Sequence, residues 1–131
     1  MHWADHTAQR LSKKNDSQVI ASGITPSGEF HIGHLREILT AEMIHRACID
    51  AEIKSEYIFI VDSMDPLRRV YDFLSDEYEK FIGFPLVNIP APNPDGTPNY
   101  QGENYAIHFL NPFLEALKQI GVNPRVVMNH E

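Results

Sequence analysis

Cys48 is the single cysteine among 131 residues, and basic side chains are scarce, with 11 Lys and Arg against 18 Asp and Glu. One thiol excludes an internal disulfide, and it excludes a multi-thiolate zinc site built from this chain alone. It suits a reducing, cytoplasmic setting. The net charge of -7 argues against the chain being the main phosphate-binding surface for a nucleic acid, because such surfaces depend on clustered Lys and Arg that release counterions. Long hydrophobic runs are missing too. Tyr57-Ile58-Phe59-Ile60-Val61 is far shorter than the roughly 20 residues of a membrane span, and the start of the chain lacks a signal-peptide apolar stretch. No membrane partner is expected.

What is present fits one globular unit: 43% hydrophobic and 22% charged residues. Trp3, Ala4, Thr7, Ala8 and Leu11 have helical spacing up to the turn-prone Lys14-Asn15-Asp16-Ser17. Ser17 to Ile24 reads as a buried strand ended by Pro26-Ser27-Gly28. Ile32, Leu35, Ile38, Leu39, Met43 and Ala47 mark one packed face of a helix from Ile32 to about Ala51, with Glu42 at its edge. Glu56 to Val61 reads as a strand covered on both faces. A helical region is expected from Pro66 to Ile82, then a long loop from Pro85 to Tyr100. Helical spacing returns from Asn104 to Ile120, with Pro112 expected to bend or restart it, and Val126 to Met128 reads as a third strand. Alternating elements of this kind predict an α/β fold with a mostly parallel sheet and flanking helices.

The chemistry concentrates in Thr25-Pro26-Ser27-Gly28-Glu29-Phe30-His31-Ile32-Gly33-His34. The breaker residues favour a tight loop between the first strand and the second helix, and such a helix N-terminus attracts anions through free N-H groups and its dipole. His31 and His34 are three residues apart, so their rings share one helical face, and Gly33 between them places no side chain against a flat base. Two imidazoles there can donate hydrogen bonds to triphosphate oxygens as charge develops on a departing pyrophosphate. The plainer reading is that both histidines only cap the helix. His6, His45 and His130 have no ligand spacing, Cys48 reads as a small buried apolar residue, and Asp76 to Glu79 as a solvated helix face.

Five segments, in order, resemble the class I lysyl-tRNA synthetases. They are His2-Trp3-Ala4-Asp5, Gly23 to Gly28, His31 to Glu37, Asp62-Ser63-Met64-Asp65-Pro66-Leu67-Arg68, and Tyr105 to Phe109. The resemblance implies a Rossmann-like synthetase fold, with residues 1-131 as the N-terminal half of the nucleotide-binding domain. It also implies ATP with Mg2+, lysine and tRNA(Lys) as ligands. Pro26, Ser27, Gly28, His31, Gly33 and His34 would hold ATP, with His31 and His34 catalytic. Gly23, Thr25, Asp62 and Asp65 would lie on the lysine side, and Arg36 and Arg68 would contact tRNA.

Three departures qualify it. His34 stands where the family often has Asn, and either side chain can donate a hydrogen bond. The archaeal zinc site near the Tyr105 segment is not expected, because Pro90 to Gly102 has no Cys or His and only His108 keeps its place. The family's Lys-Met-Ser-Lys-Ser-type loop has no counterpart, Leu11-Ser12-Lys13-Lys14 lying on the wrong side of the first strand. A fragment without the second half or the anticodon-binding domain is therefore expected. The competing classes are a small-molecule adenylyltransferase of the same superfamily and a noncatalytic nucleotide-binding module.

Overall fold

The computed structural model describes all 131 residues. In chain order the elements are α1 (Trp3–Ser12), β1 (Ser17–Ile24), α2 (Ile32–Asp50), β2 (Lys54–Val61), β3 (Pro90–Pro92), β4 (Pro98–Asn104), α3 (Tyr105–Gln119) and β5 (Arg125–Met128). Strands β1, β2 and β5 form a three-stranded sheet in the order β1-β2-β5, and both pairings are parallel. The α/β class expected from the alternating pattern is therefore present.

The core lies on one face of this sheet. Tyr57, Phe59 and Val61 alternate inward along β2 and meet Ile38 and Ala41 of α2, Leu110 and Leu117 of α3, and Met128 of β5. Burying side chains of this size contributes roughly 1.5–3 kcal/mol each. Tyr57 brings its hydroxyl inside, where it pairs with Ser22 Oγ at 2.6 Å, so its polar atom is satisfied. The opposite face is open: Val19 is 61% and Ile60 39% exposed, which corrects the expectation that β2 is covered on both faces.

The sequence stripe on α2 also needs adjusting. Ile32 and Met43 are exposed, whereas Glu42 is buried and bonded to Arg46 at 2.8 Å. The other side of α2 packs Ala47 and Cys48 against Ala4 and Ala8 of α1. Cys48 is fully buried among them, and burial pushes its thiol pKa up.

Residues 66–82 are not the expected helix. The chain runs through turns, with one 3-10 segment at Asp76–Phe81, and its apolar residues converge instead of forming a stripe. Leu67, Leu74, Tyr78, Leu86 and Ile89 surround Tyr105, Ala106 and Phe109 of α3, a second core beside the sheet. Tyr78 is anchored there by donating to Pro90 O at 2.8 Å, and burial raises its pKa to about 12. The Pro-rich stretch is no simple loop: β3 and β4 pair antiparallel across the Asn93–Thr97 turn, where Gly96 takes φ +89°. Pro112 stands inside α3 without restarting it.

Candidate active site

The sheet, α2 and the second core meet at the loop after β1. Gly23, Ile24 and Thr25 leave the carboxyl end of β1, beside the matching end of β2, where ligands of open α/β sheets bind. Pro26 is fully buried, and Tyr105 donates its hydroxyl to Ser27 O at 2.5 Å, so α3 fixes the loop from behind. Three successive backbone N-H groups, of Gly28, Glu29 and Phe30, find no acceptor within the chain. They sit just before the N-terminus of α2 and give the loop an anion-binding character.

His31 is the N-cap of α2 and His34 its third residue, and each ring accepts from a backbone N-H at the start of the helix. Gly33 N donates to His31 Nδ1 at 3.1 Å, and His31 N donates to His34 Nδ1 at 3.0 Å. The rings lie face to face with centroids 3.9 Å apart. The capping role is therefore real, and it has a chemical consequence. An Nδ1 that accepts from a backbone N-H carries no proton, so each neutral ring holds its proton on Nε2, away from the helix. The plainer reading and the functional one are compatible: the cap sets a tautomer whose free Nε2-H is a hydrogen-bond donor. Burial and the neighbouring His31 lower the pKa of His34, against a smaller raising effect of Glu37, which favours the neutral form.

Gly33 also has a local structural reason. A Cβ there would lie 2.9 Å from His31 Cε1 and 3.0 Å from Nδ1, so glycine leaves room for the capping ring. Its open side faces a shallow hollow beside β1 that also holds Ser22, Arg36 and Glu37.

His31 and His34 line a cleft of about 810 Å³. With them stand Thr25, Ser27, Gly28, Glu29 and Phe30 of the loop, Arg69, Tyr71 and Phe73 of the 66–82 excursion, Pro92 to Pro94, and His108 with Phe109. Such a size is that of an ordinary small-molecule site. The structure thus brings together Thr25, Ser27, Gly28, His31 and His34, and keeps others apart. Asp65 accepts from Thr25 Oγ1 at 3.2 Å and from Arg68 Nη2 at 3.1 Å, one shell behind the cleft wall. Asp62 accepts from Asn129 Nδ2 at 2.5 Å. Gly23 N points to Glu37 Oε1 at 3.4 Å. Arg36 lies in the hollow beside β1, and Arg69, not Arg68, reaches the cleft.

Glu29 stands inside the motif without an assigned role, and Arg69, Tyr71, Phe73 and Asn93, which carried no motif in the sequence, belong to the same wall. Only the tertiary path of residues 66–97 brings those four there. His130 also has a contact that its spacing hid: its Nδ1 lies 2.6 Å from Ser63 Oγ, which itself donates to Asn129 Oδ1. No group of three or more His, Cys, Asp or Glu side chains is arranged to hold a metal ion, and no helix is long and apolar enough to cross a membrane.

The sequence that builds this site matches known proteins over the length of the chain. The family described as tRNA synthetases class I (K) matches residues 1–131. The chain belongs to that family. Among similar relatives, the lysine-tRNA ligase of Methanosarcina barkeri is 46% identical over 126 residues, covering 96% of this chain and 22% of the relative. Those of Methanocaldococcus jannaschii and Archaeoglobus fulgidus are each 48% identical, covering 93% of this chain and 22% and 24% of their own lengths. The chain spans about a quarter of the length of the curated relatives it matches. Family membership also confirms the Rossmann-like reading of the parallel sheet and its helices.

Proposed function

We propose that this chain carries the ATP-binding and lysine-binding part of a lysine-tRNA ligase, which activates lysine as its adenylate and passes it to tRNA(Lys). The observation that supports it most is the pair of Nδ1 caps. They leave the Nε2-H of each ring free on two residues that line a cleft, whose loop offers three backbone N-H donors without a partner in the chain. Donors held rigidly in this way stabilise the charge that builds on the triphosphate as the lysine carboxylate attacks the α-phosphorus and pyrophosphate leaves. His31 and His34 act as electrostatic clamps, with Pro26, Ser27, Gly28 and Gly33 shaping the cradle.

On the amino-acid side stand Gly23, Thr25, Asp62 and Asp65. Asp65 is held by Thr25 and Arg68, so it acts on an ammonium group by exchanging the Arg68 contact for the substrate. Glu29 is the one carboxylate on the cleft wall itself and adds a negative charge where a cationic amino acid enters. Arg36 and Arg68 remain the candidates for tRNA contact. Mg2+ is proposed to arrive on the triphosphate, because the cleft wall supplies no set of carboxylates to hold it alone. Zinc is left out, since Pro90 to Gly102 offers only the carboxylate of Asp95, already engaged by Thr97.

ATP-pyrophosphate exchange with each amino acid, run on any longer reading frame containing these residues, tests the proposal. Exchange should require lysine, and His31→Ala should lower its rate about 100- to 1,000-fold, the usual loss of one preorganised donor. Exchange independent of lysine would sink the reading.

A further inference from the structure

The residues that follow β2 and β5 meet side by side at the carboxyl end of the sheet. Asp62 N donates to Ile24 O at 2.8 Å and Asn129 N donates to Val61 O at 3.1 Å, so the parallel ladder carries both residues to its rim. Asp62 therefore stands across from Thr25, which lines the cleft. Ligands of open α/β sheets bind outside this end.

The Asn129 side chain is locked in one orientation. Its oxygen accepts from Met64 N and from Ser63 Oγ, each at 3.1 Å. A backbone N-H can only donate, so the atom beside Met64 is the amide oxygen and the NH2 group must face Asp62. It donates to Asp62 Oδ1 at 2.5 Å. Behind it Ser63 is fully buried, and its hydroxyl oxygen lies 2.6 Å from His130 Nδ1. Ser63 has a single hydroxyl proton, which goes to Asn129, so His130 donates to the Ser63 oxygen. The bonds run one way, from His130 through Ser63 and Asn129 to the carboxylate.

The two aspartates at this end differ in how their charge is met. Asp65 is bonded through both oxygens, to Thr25 Oγ1 and to the Arg68 guanidinium. Asp62 meets only the neutral amide, pairs with no cationic side chain, and receives no donor from the chain at Oδ2. It is a carboxylate held in place with its charge uncompensated and one oxygen open. Tying two strand ends together needs no such charge, whereas a charge-assisted bond to an ammonium group does.

We propose that Asn129 is a positioning residue for amino-acid binding: it fixes Asp62 Oδ1 so that Oδ2 takes an ammonium group of the substrate, ahead of Asp65, which must first release Arg68. The assignment rests on the functional reading above.

ATP-pyrophosphate exchange by the longer reading frame, with KM measured separately for lysine and ATP, tests it. Asn129→Ala should raise the lysine KM about 10- to 100-fold, the loss of one hydrogen bond to a charged group, and leave the ATP KM at the parent value. Asp62→Asn should raise the lysine KM at least as far, Asp65→Asn less. Adding Asn129→Ala to Asp62→Asn should change little, because the two residues act as one unit. Competition against lysine identifies the ammonium: 6-aminohexanoate lacks the α-ammonium and norleucine lacks the terminal one, and the inhibitor that weakens in Asn129→Ala carries the group that Asp62 meets. An unchanged lysine KM in Asn129→Ala overturns the positioning role, as do equal rises for lysine and ATP, additive effects in the double variant, a larger rise in Asp65→Asn, or no weakening of either inhibitor. Exchange that ignores lysine in the parent enzyme would defeat the functional reading itself, and this role with it.

Discussion

Replacing Gly33 with alanine puts two opposing effects on one atom. Gly33 is the second residue of α2, and alanine is favoured over glycine in a helix by about 1 kcal/mol, less so near an end. Against this, the new Cβ would lie 2.9 Å from His31 Cε1, a separation that forces the imidazole aside. Moving the ring breaks the bond from Gly33 N to His31 Nδ1 and disturbs the 3.9 Å stack on His34. An N-cap of this kind is worth about 1 kcal/mol, so the two effects nearly cancel in stability. Thermal unfolding followed by circular dichroism should therefore show a midpoint within about 4 °C of the parent chain, the shift expected from roughly 1 kcal/mol at this size. Triphosphate binding should fall, because one Nε2-H donor has lost its aim. A clear rise in midpoint with unchanged tripolyphosphate affinity would refute the claim that Gly33 exists to make room for His31.

Protonation gives a second test. The folded pKa of His34 is lowered, so below about pH 6.5 the unfolded chain binds more protons than the folded one, and stability falls with pH until the folded pKa is passed. Urea midpoints measured between pH 8 and 5 should drop in that window, and His34→Asn should flatten the drop. Gly96→Ala should destabilise strongly, since its Cβ would lie 2.6 Å from Phe73 O at φ +89°, and chemical denaturation should show a loss above about 2 kcal/mol. Tyr105→Phe removes the donor to Ser27 O and should cost about 1–3 kcal/mol by the same measurement, with weaker ATP binding from a looser loop.

The first βαβ unit was legible because period and punctuation agree there. Val19 and Ile20 precede Gly23, the helical stripe follows Gly33, and the apolar run stops at Asp62. The Thr25–His34 loop was legible for the same reason, since residue type alone dictates a tight turn and a capped helix. The stretch 66–82 misled because Leu67, Val70, Tyr71, Leu74, Tyr78 and Phe81 imitate helical spacing while being gathered by contact with Tyr105 and Phe109. The β3–β4 hairpin was hidden by its prolines: Pro90, Pro92 and Pro98 read as breakers, yet sit in a short two-stranded pairing with an irregular register. Arg69, Phe73 and Asn93 reach the cleft only through these two misread segments. Their part in the site was therefore invisible without the fold. The capping histidines show the reverse case, a motif found from sequence whose local geometry supplies the reason it can work.

Nitrogen-15 NMR of the histidine rings tests the central claim most directly, with each ring assigned through its His→Asn variant. The account predicts that His31 and His34 of the neutral, ligand-free chain carry their proton on Nε2, and that both Nε2 resonances move when ATP or tripolyphosphate is added while Nδ1 stays an acceptor. A proton on Nδ1 of either ring, or Nε2 resonances that ignore saturating triphosphate, would contradict it.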